Sequence, residues 1–203
     1  MKKIVLSLIV MSFSFAQIIA QSDKNSKDKE LAVKFPASSL LGDVFLNSMG
    51  FSLGLETTGK KGWSFSQEMG YIFDVGRNGF LFNSRLNDIN GLRLTSELRK
   101  YQKTDSFFPG EGLFISLEWD NLIMAVEEIS EGKTTRSTLY RTGLTFNVGK
   151  KYILSNGENG TLTLDLLGGG GLGLYPEHVE GSELTKPYFP LLNFDVKIGY
   201  VIR

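Results

Sequence analysis

The chemistry this sequence could support gathers first around its single histidine. His178 lies in Tyr175-Pro-Glu-His-Val-Glu-Gly-Ser182. There Ser182, His178 and either Glu177 or Glu180 supply the parts of nucleophilic acyl transfer: a hydroxyl, a base to take its proton and a carboxylate to orient that base. One short loop rarely sets three such groups in working geometry. A solvated loop histidine is therefore expected, no catalytic residue is assigned, and the chain is not read as an enzyme. One histidine with no cysteine cannot complete a usual zinc site, so neither a metal nor a cofactor is expected. The lack of cysteine also removes disulfides, a thiolate nucleophile and a lipidated N-terminal cysteine.

The other ionisable residues fall on one phase of a two-residue rhythm. They are Glu56, Glu68, Arg93, Glu97, Arg99, Glu118, Asp120, Arg141, Asp165, Asp195 and Lys197. Carboxylates such as Glu118 and Asp120 could share acid/base work, but two-residue spacing on a strand merely puts both on one face. If that face lines a narrow space, the four cations and seven anions must pair there, because an unpaired ion is strongly penalised away from water. An interior charge network that plugs the space and fixes strand register is expected. The anionic excess leaves a proton or ion path as the lesser reading.

The elements carrying these charges are strands. Met49, Phe51, Leu53 and Leu55 alternate with Gly50, Ser52, Gly54 and Glu56, and Leu162, Leu164 and Leu166 alternate with Thr161, Thr163 and Asp165. Eight strands are predicted: Leu31–Leu40 (interrupted by Pro36), Met49–Thr57, Trp63–Asp74, Gly91–Tyr101, Gly112–Val126, Ser137–Lys150, Thr161–Leu174 and Tyr188–Ile202. Turn chemistry lies between them, as in Thr58-Gly-Lys-Lys-Gly62 and Asn156-Gly-Glu-Asn-Gly160. Short links imply antiparallel neighbours and an up-and-down meander. Gly168 to Gly171 and Gly173 interrupt a strong strand, expected to supply the curvature that closure needs; a crevice for an acyl chain or an aromatic ring is the alternative.

Ahead of the strands, Lys2 and Lys3, an apolar run from Ile4 to Phe15 and small residues near Ala20 read as an export signal, 1–20. Residues 21–30 form a polar leader, and 31–203 form one barrel domain. Without the signal, 20 basic residues face 22 acidic ones, and no basic patch asks for nucleic acid.

Two architectures share this alternation. A soluble lipocalin-like barrel binding an apolar ligand turns the apolar face inward, and a membrane barrel turns it outward. Strand lengths of about 10 to 14 residues suffice for the 9 to 11 that a tilted membrane strand needs. Tyr and Trp recur on the apolar phase near strand ends, and the last strand alternates almost to Arg203. These features favour the membrane form.

Gly91-Leu-Arg-Leu-Thr-Ser-Glu-Leu-Arg-Lys-Tyr101 with Phe108-Pro-Gly-Glu-Gly-Leu-Phe-Ile115, then Arg141 to Asn156 and the glycine-rich Thr161 to Gly173, resemble the strands of a family of small outer-membrane β-barrel proteins of unknown function from Gram-negative bacteria. The resemblance implies location and fold and supplies no chemistry. Such barrels often finish on an aromatic residue read by the assembly machinery, whereas here Val201, Ile202 and Arg203 follow Tyr200. The expectation is thus an all-β, eight-stranded antiparallel up-and-down transmembrane β-barrel of the cell outer membrane, with both termini in the periplasm. Outer-membrane lipid and the assembly machinery are its expected partners. Outward connections near Leu41–Ser48, Val75–Asn90, Glu127–Arg136 and Tyr175–Pro187 carry a structural, adhesive or recognition role toward an extracellular ligand of unknown identity. A lipid-modifying enzyme remains a rival.

Overall fold

The computed structural model describes residues 30–37, 48–59, 62–74, 86–102, 111–130, 133–174 and 188–202. Alternating apolar and polar residues between turn signals form eight strands: β1 (Glu30–Pro36), β2 (Ser48–Thr58), β3 (Trp63–Asp74), β4 (Leu86–Tyr101), β5 (Gly112–Ser130), β6 (Lys133–Gly157), β7 (Gly160–Leu174) and β8 (Tyr188–Ile202). Each pairs antiparallel with its neighbour in sequence, and β8 returns to β1, closing the barrel. The expected up-and-down eight-stranded architecture is the one that forms.

Following cross-strand partners from Leu31 through Thr57, Phe65, Leu98, Leu117, Phe146 and Gly170 leads to Leu192. Leu31 itself pairs with Ile202, so one circuit of the wall climbs ten residues along β8. Such a stagger tilts eight strands by about 40° from the barrel axis and leaves an interior that side chains alone can fill. The wall tightens between β6 and β7. A Cβ on Gly169 would collide with the Phe146 carbonyl oxygen, and one on Gly171 with that of Leu144. Part of the glycine run therefore permits close backbone approach, consistent with the curvature expected of it.

Strand bounds depart from expectation where side-chain alternation and backbone pairing part company. β1 ends at Pro36, which lacks an N–H to extend the ladder; residues 38–40 of the expected strand lie outside the described residues. The connection expected at Glu127–Arg136 is instead strand. β5 and β6 pair up to Ser130 and Lys133, with Arg136 donating to Glu127 across the hairpin. The pairing persists although Glu127-Glu-Ile-Ser and Lys133-Thr-Thr-Arg have lost the apolar rhythm, since backbone hydrogen bonds need no core beneath them. β4 likewise begins at Leu86 rather than Gly91, with a register irregularity between Asn87 and Asn90. Segments 175–187 and most of 41–48 and 75–90, expected as outward connections, lie outside the described residues, as do 1–29.

The distribution of side chains is inverted relative to a protein that folds in water. Among the described residues, 23 polar or charged side chains are buried against 11 apolar ones, and thirty large apolar side chains are exposed. The lipocalin-like arrangement is thereby overturned: the charges line the inside of the barrel and the apolar phase looks out.

Candidate functional site

All eleven charged residues expected to share one face point into the barrel, and the structure sorts them into layers. Nearest the end where β1 begins, Glu56 accepts from Ser64 Oγ at 2.7 Å, the Tyr101 hydroxyl at 2.9 Å and Lys151 Nζ at 2.9 Å. Lys34 bridges Glu56 at 2.9 Å and Asp165 at 2.5 Å. Arg99 reaches Asp165 at 2.5 Å and Glu97 at 2.7 Å, and its guanidinium lies 4.6 Å from the centre of the Phe114 ring.

Through Glu97 this layer continues into the next, where Lys197 sits among Glu68 at 2.5 Å, Glu97 at 3.0 Å and Asp195 at 3.5 Å. Glu118 is held by an amide: Asn193 Nδ2 donates to it at 3.1 Å and is itself 3.1 Å from Asn147 Oδ1. Above these, Asp120 receives Arg93 at 2.6 Å, Arg141 at 3.1 Å and Thr95 Oγ1 at 3.0 Å. An apolar layer closes the interior at the far end, made of Ile72, Ile89, Leu122, Met124 and Leu139.

Two cations of this network escaped the sequence reading, Lys34 and Lys151. Both were legible in principle. Lys34 occupies the inward phase set by Leu31, Val33 and Phe35 facing out, and Lys151 continues the inward phase of Asn147 and Gly149 just past the expected strand end. With them, six cations face the seven expected anions, and each cation has a carboxylate oxygen within 3.1 Å. The anionic excess that favoured an ion path shrinks accordingly. So arranged, the cations are each held by at least one carboxylate, while Glu118 is held by the Asn193 amide. Residues 177, 178, 180 and 182, the parts of the nominal triad, lie outside the described residues.

The outer wall has its own order. On β6, Tyr140 and Tyr152 stand twelve residues apart on the outward phase, and on β8 Tyr188 and Tyr200 do the same. At a rise of about 3.3 Å per residue and a tilt of about 40°, the two belts are ~30 Å apart along the barrel axis. In the belt near the β1 start, Lys100 lies 4.8 Å from the Trp63 ring and Lys150 lies 4.7 Å from that of Tyr152. Toward the other belt, Asn121 departs from the rule that the outward phase is apolar. Its Oδ1 accepts from the Tyr140 hydroxyl at 2.8 Å and Thr142 Oγ1 at 3.0 Å, while Trp119 Nε1 donates to Thr142 at 2.8 Å. A polar atom on this wall is thus satisfied within the protein.

No protein-family model matches the chain, and no curated protein does. Among solved structures it is similar to Neisserial surface protein A, at 13% identity and a TM-score of 0.37, over 86% of this chain and 94% of that one.

Proposed function

We propose that this chain spans the bacterial outer membrane as a closed, non-conducting barrel and works through the end that it raises outside, in a structural, adhesive or recognition role. The observation that carries the reading is the inverted wall bounded by two tyrosine belts. An apolar exterior ~30 Å tall matches the hydrocarbon thickness of a bilayer, and aromatic rings at both borders suit the interfaces. The ion pairs and the apolar layer above them fill the lumen, which supports a plug over a pore.

The reading includes an orientation. The end carrying Glu30 and Ile202 faces the periplasm, and the β5–β6 hairpin faces out. Its tip at Lys133 stands seven residues above Tyr140, or ~18 Å beyond the outer belt by the same rise and tilt. A polar hairpin held clear of the lipid on a rigid wall is a suitable place for recognition.

Fractionation tests the reading. The protein is expected in the outer membrane, migrating faster in detergent gels before boiling than after, and flat in planar-bilayer recordings. Recovery from the soluble periplasm would refute the membrane assignment, and steady single-channel currents would refute the plug.

A further inference from the structure

Among the described residues, the row of outward side chains is broken by glycine on β7. Along β7 the outward phase runs Leu164, Leu166, Gly168, Gly170, Leu172, so two successive positions carry no side chain. Beside them on β6 stand Phe146 and Val148, and on β8 stand Leu192 and Phe194, each paired in register with one of the two glycines. The result is a notch walled by apolar side chains and closed above and below by Leu172 and Leu166. Its β8 wall also carries the most exposed large apolar side chains among the described residues, Leu192 at 89% and Phe194 at 74%.

Ridge and notch stand side by side, which makes the patch self-complementary. A two-fold axis along the membrane normal, passing between β7 and β8, brings the ridge of one copy against the notch of another, provided the two lie at the same height. They do. The register climbs ten residues in one circuit of eight strands, about one and a quarter residues per strand in a tilted wall. Phe194 therefore stands level with the midpoint between Gly168 and Gly170. Facing walls cross at twice the strand tilt, near a right angle, so one side chain enters each notch. Leu144, Phe146, Val148, Leu172, Leu192 and Phe194 form one continuous apolar patch around the notch, each about half exposed or more. In lipid such a contact is held by close packing rather than by expulsion of water, and a side chain entering a notch supplies it.

We infer that this patch joins two copies of the chain within the membrane, Phe194 of each seated in the Gly168–Gly170 notch of the other. The inference rests on the membrane reading above. The test is energy transfer between separately labelled copies of the mature protein reconstituted in phosphatidylethanolamine–phosphatidylglycerol vesicles, diluted over a range of lipid ratios. Gly168→Leu fills the notch from a Cβ in ordinary van der Waals contact, the nearest atoms being the Asn193 carbonyl oxygen at 3.8 Å and Phe194 Cδ2 at 3.9 Å. Phe194→Ala removes the entering ring. Each variant is expected to raise the dissociation constant at least tenfold while keeping the heat-modifiable migration of a folded barrel. An inserted wild type that is monomeric at every dilution overturns the dimer alone, as does a dimer that both variants leave intact, or a monomer that carries a tightly held lipid lost in Gly168→Leu. Failure of the wild type to enter the vesicles overturns the membrane reading and the dimer together.

Discussion

Glu56→Gln is the perturbation that loads most on the interior network. The carboxylate is fully buried and takes Ser64, Tyr101, Lys34 and Lys151 at 2.7–2.9 Å, with Arg99 3.6 Å away. Glutamine keeps the shape and one acceptor but removes the charge. Lys34 and Arg99 retain Asp165 at 2.5 Å each, whereas the carboxylate pairing Lys151 is Glu56 itself. The variant therefore takes from Lys151 the carboxylate it pairs with, leaving Asp165 as its cross-strand neighbour beyond ion-pair distance. Breaking a buried pair from one side costs about 3–5 kcal/mol, and with a urea slope of about 2 kcal/mol per molar the unfolding midpoint falls by about 2 M. Removing Lys151 as well should restore most of the loss, so Glu56→Gln/Lys151→Met is expected to lie within about 1 kcal/mol of wild type; replacing a buried pair by apolar groups is often neutral. The assay is equilibrium unfolding in urea of protein refolded into vesicles, followed by tryptophan fluorescence. A midpoint shift below about 0.5 M for the single variant, or a double variant no better than the single, would refute the picture of a tightly paired lumen.

The same barrel makes further demands on experiment. The chain has no native cysteine, so a fluorophore on Phe51→Cys should be quenched by brominated lipids, while Ser52→Cys should resist a soluble thiol reagent until the barrel is unfolded; equal behaviour at the two sites would contradict the alternation of faces. The same split is expected between Leu164→Cys and Thr163→Cys on β7. Met69→Arg, at mid-height on the outer wall, should cost about 2–4 kcal/mol, against nearly nothing for Lys133→Ala at the hairpin tip; comparable midpoints would mean that Met69 does not face lipid. His178→Ala and Ser182→Ala should leave the lipid A profile of expressing cells unaltered, and loss in either variant of a modification present with the wild type would make the chain an enzyme.

What the sequence discloses depends on how cleanly each strand keeps its rhythm. β3 and β8 begin and end where the alternation predicted, Trp63–Asp74 and Tyr188–Ile202, because turn residues or a proline bound a strict apolar phase. The ends of β5 and β6 were illegible, since past Val126 neither face has lipid or lumen to match and only the backbone ladder continues. Lys34 was lost behind Pro36, which argued against a strand that in fact runs up to it. The apolar layer from Leu122, Met124 and Leu139 was hidden for a different reason: in Asn121-Leu-Ile-Met-Ala125 both phases are apolar, so no period distinguishes lumen from lipid. The direction of the two faces could not be read from periodicity at all. Nor could the partners within the lumen, where Lys34 meets Asp165 across 131 residues of chain.

That distance along the chain governs how the barrel can be made. A β2–β3 hairpin entering hydrocarbon alone would carry Glu56 and Glu68 in without Lys34, Lys151 or Lys197, because those cations sit on β1, β6 and β8. Such a fragment is not charge-neutral inside, so threading that hairpin into lipid by itself meets a barrier. The favourable route is to bring first and last strands together while the lumen still touches water, and to cross the bilayer as a nearly closed cylinder. The seam between β1 and β8 is then the last thing to form and the step that commits the chain. Variants that orphan Lys34 or Lys197 should accumulate as unsealed sheets at the membrane surface.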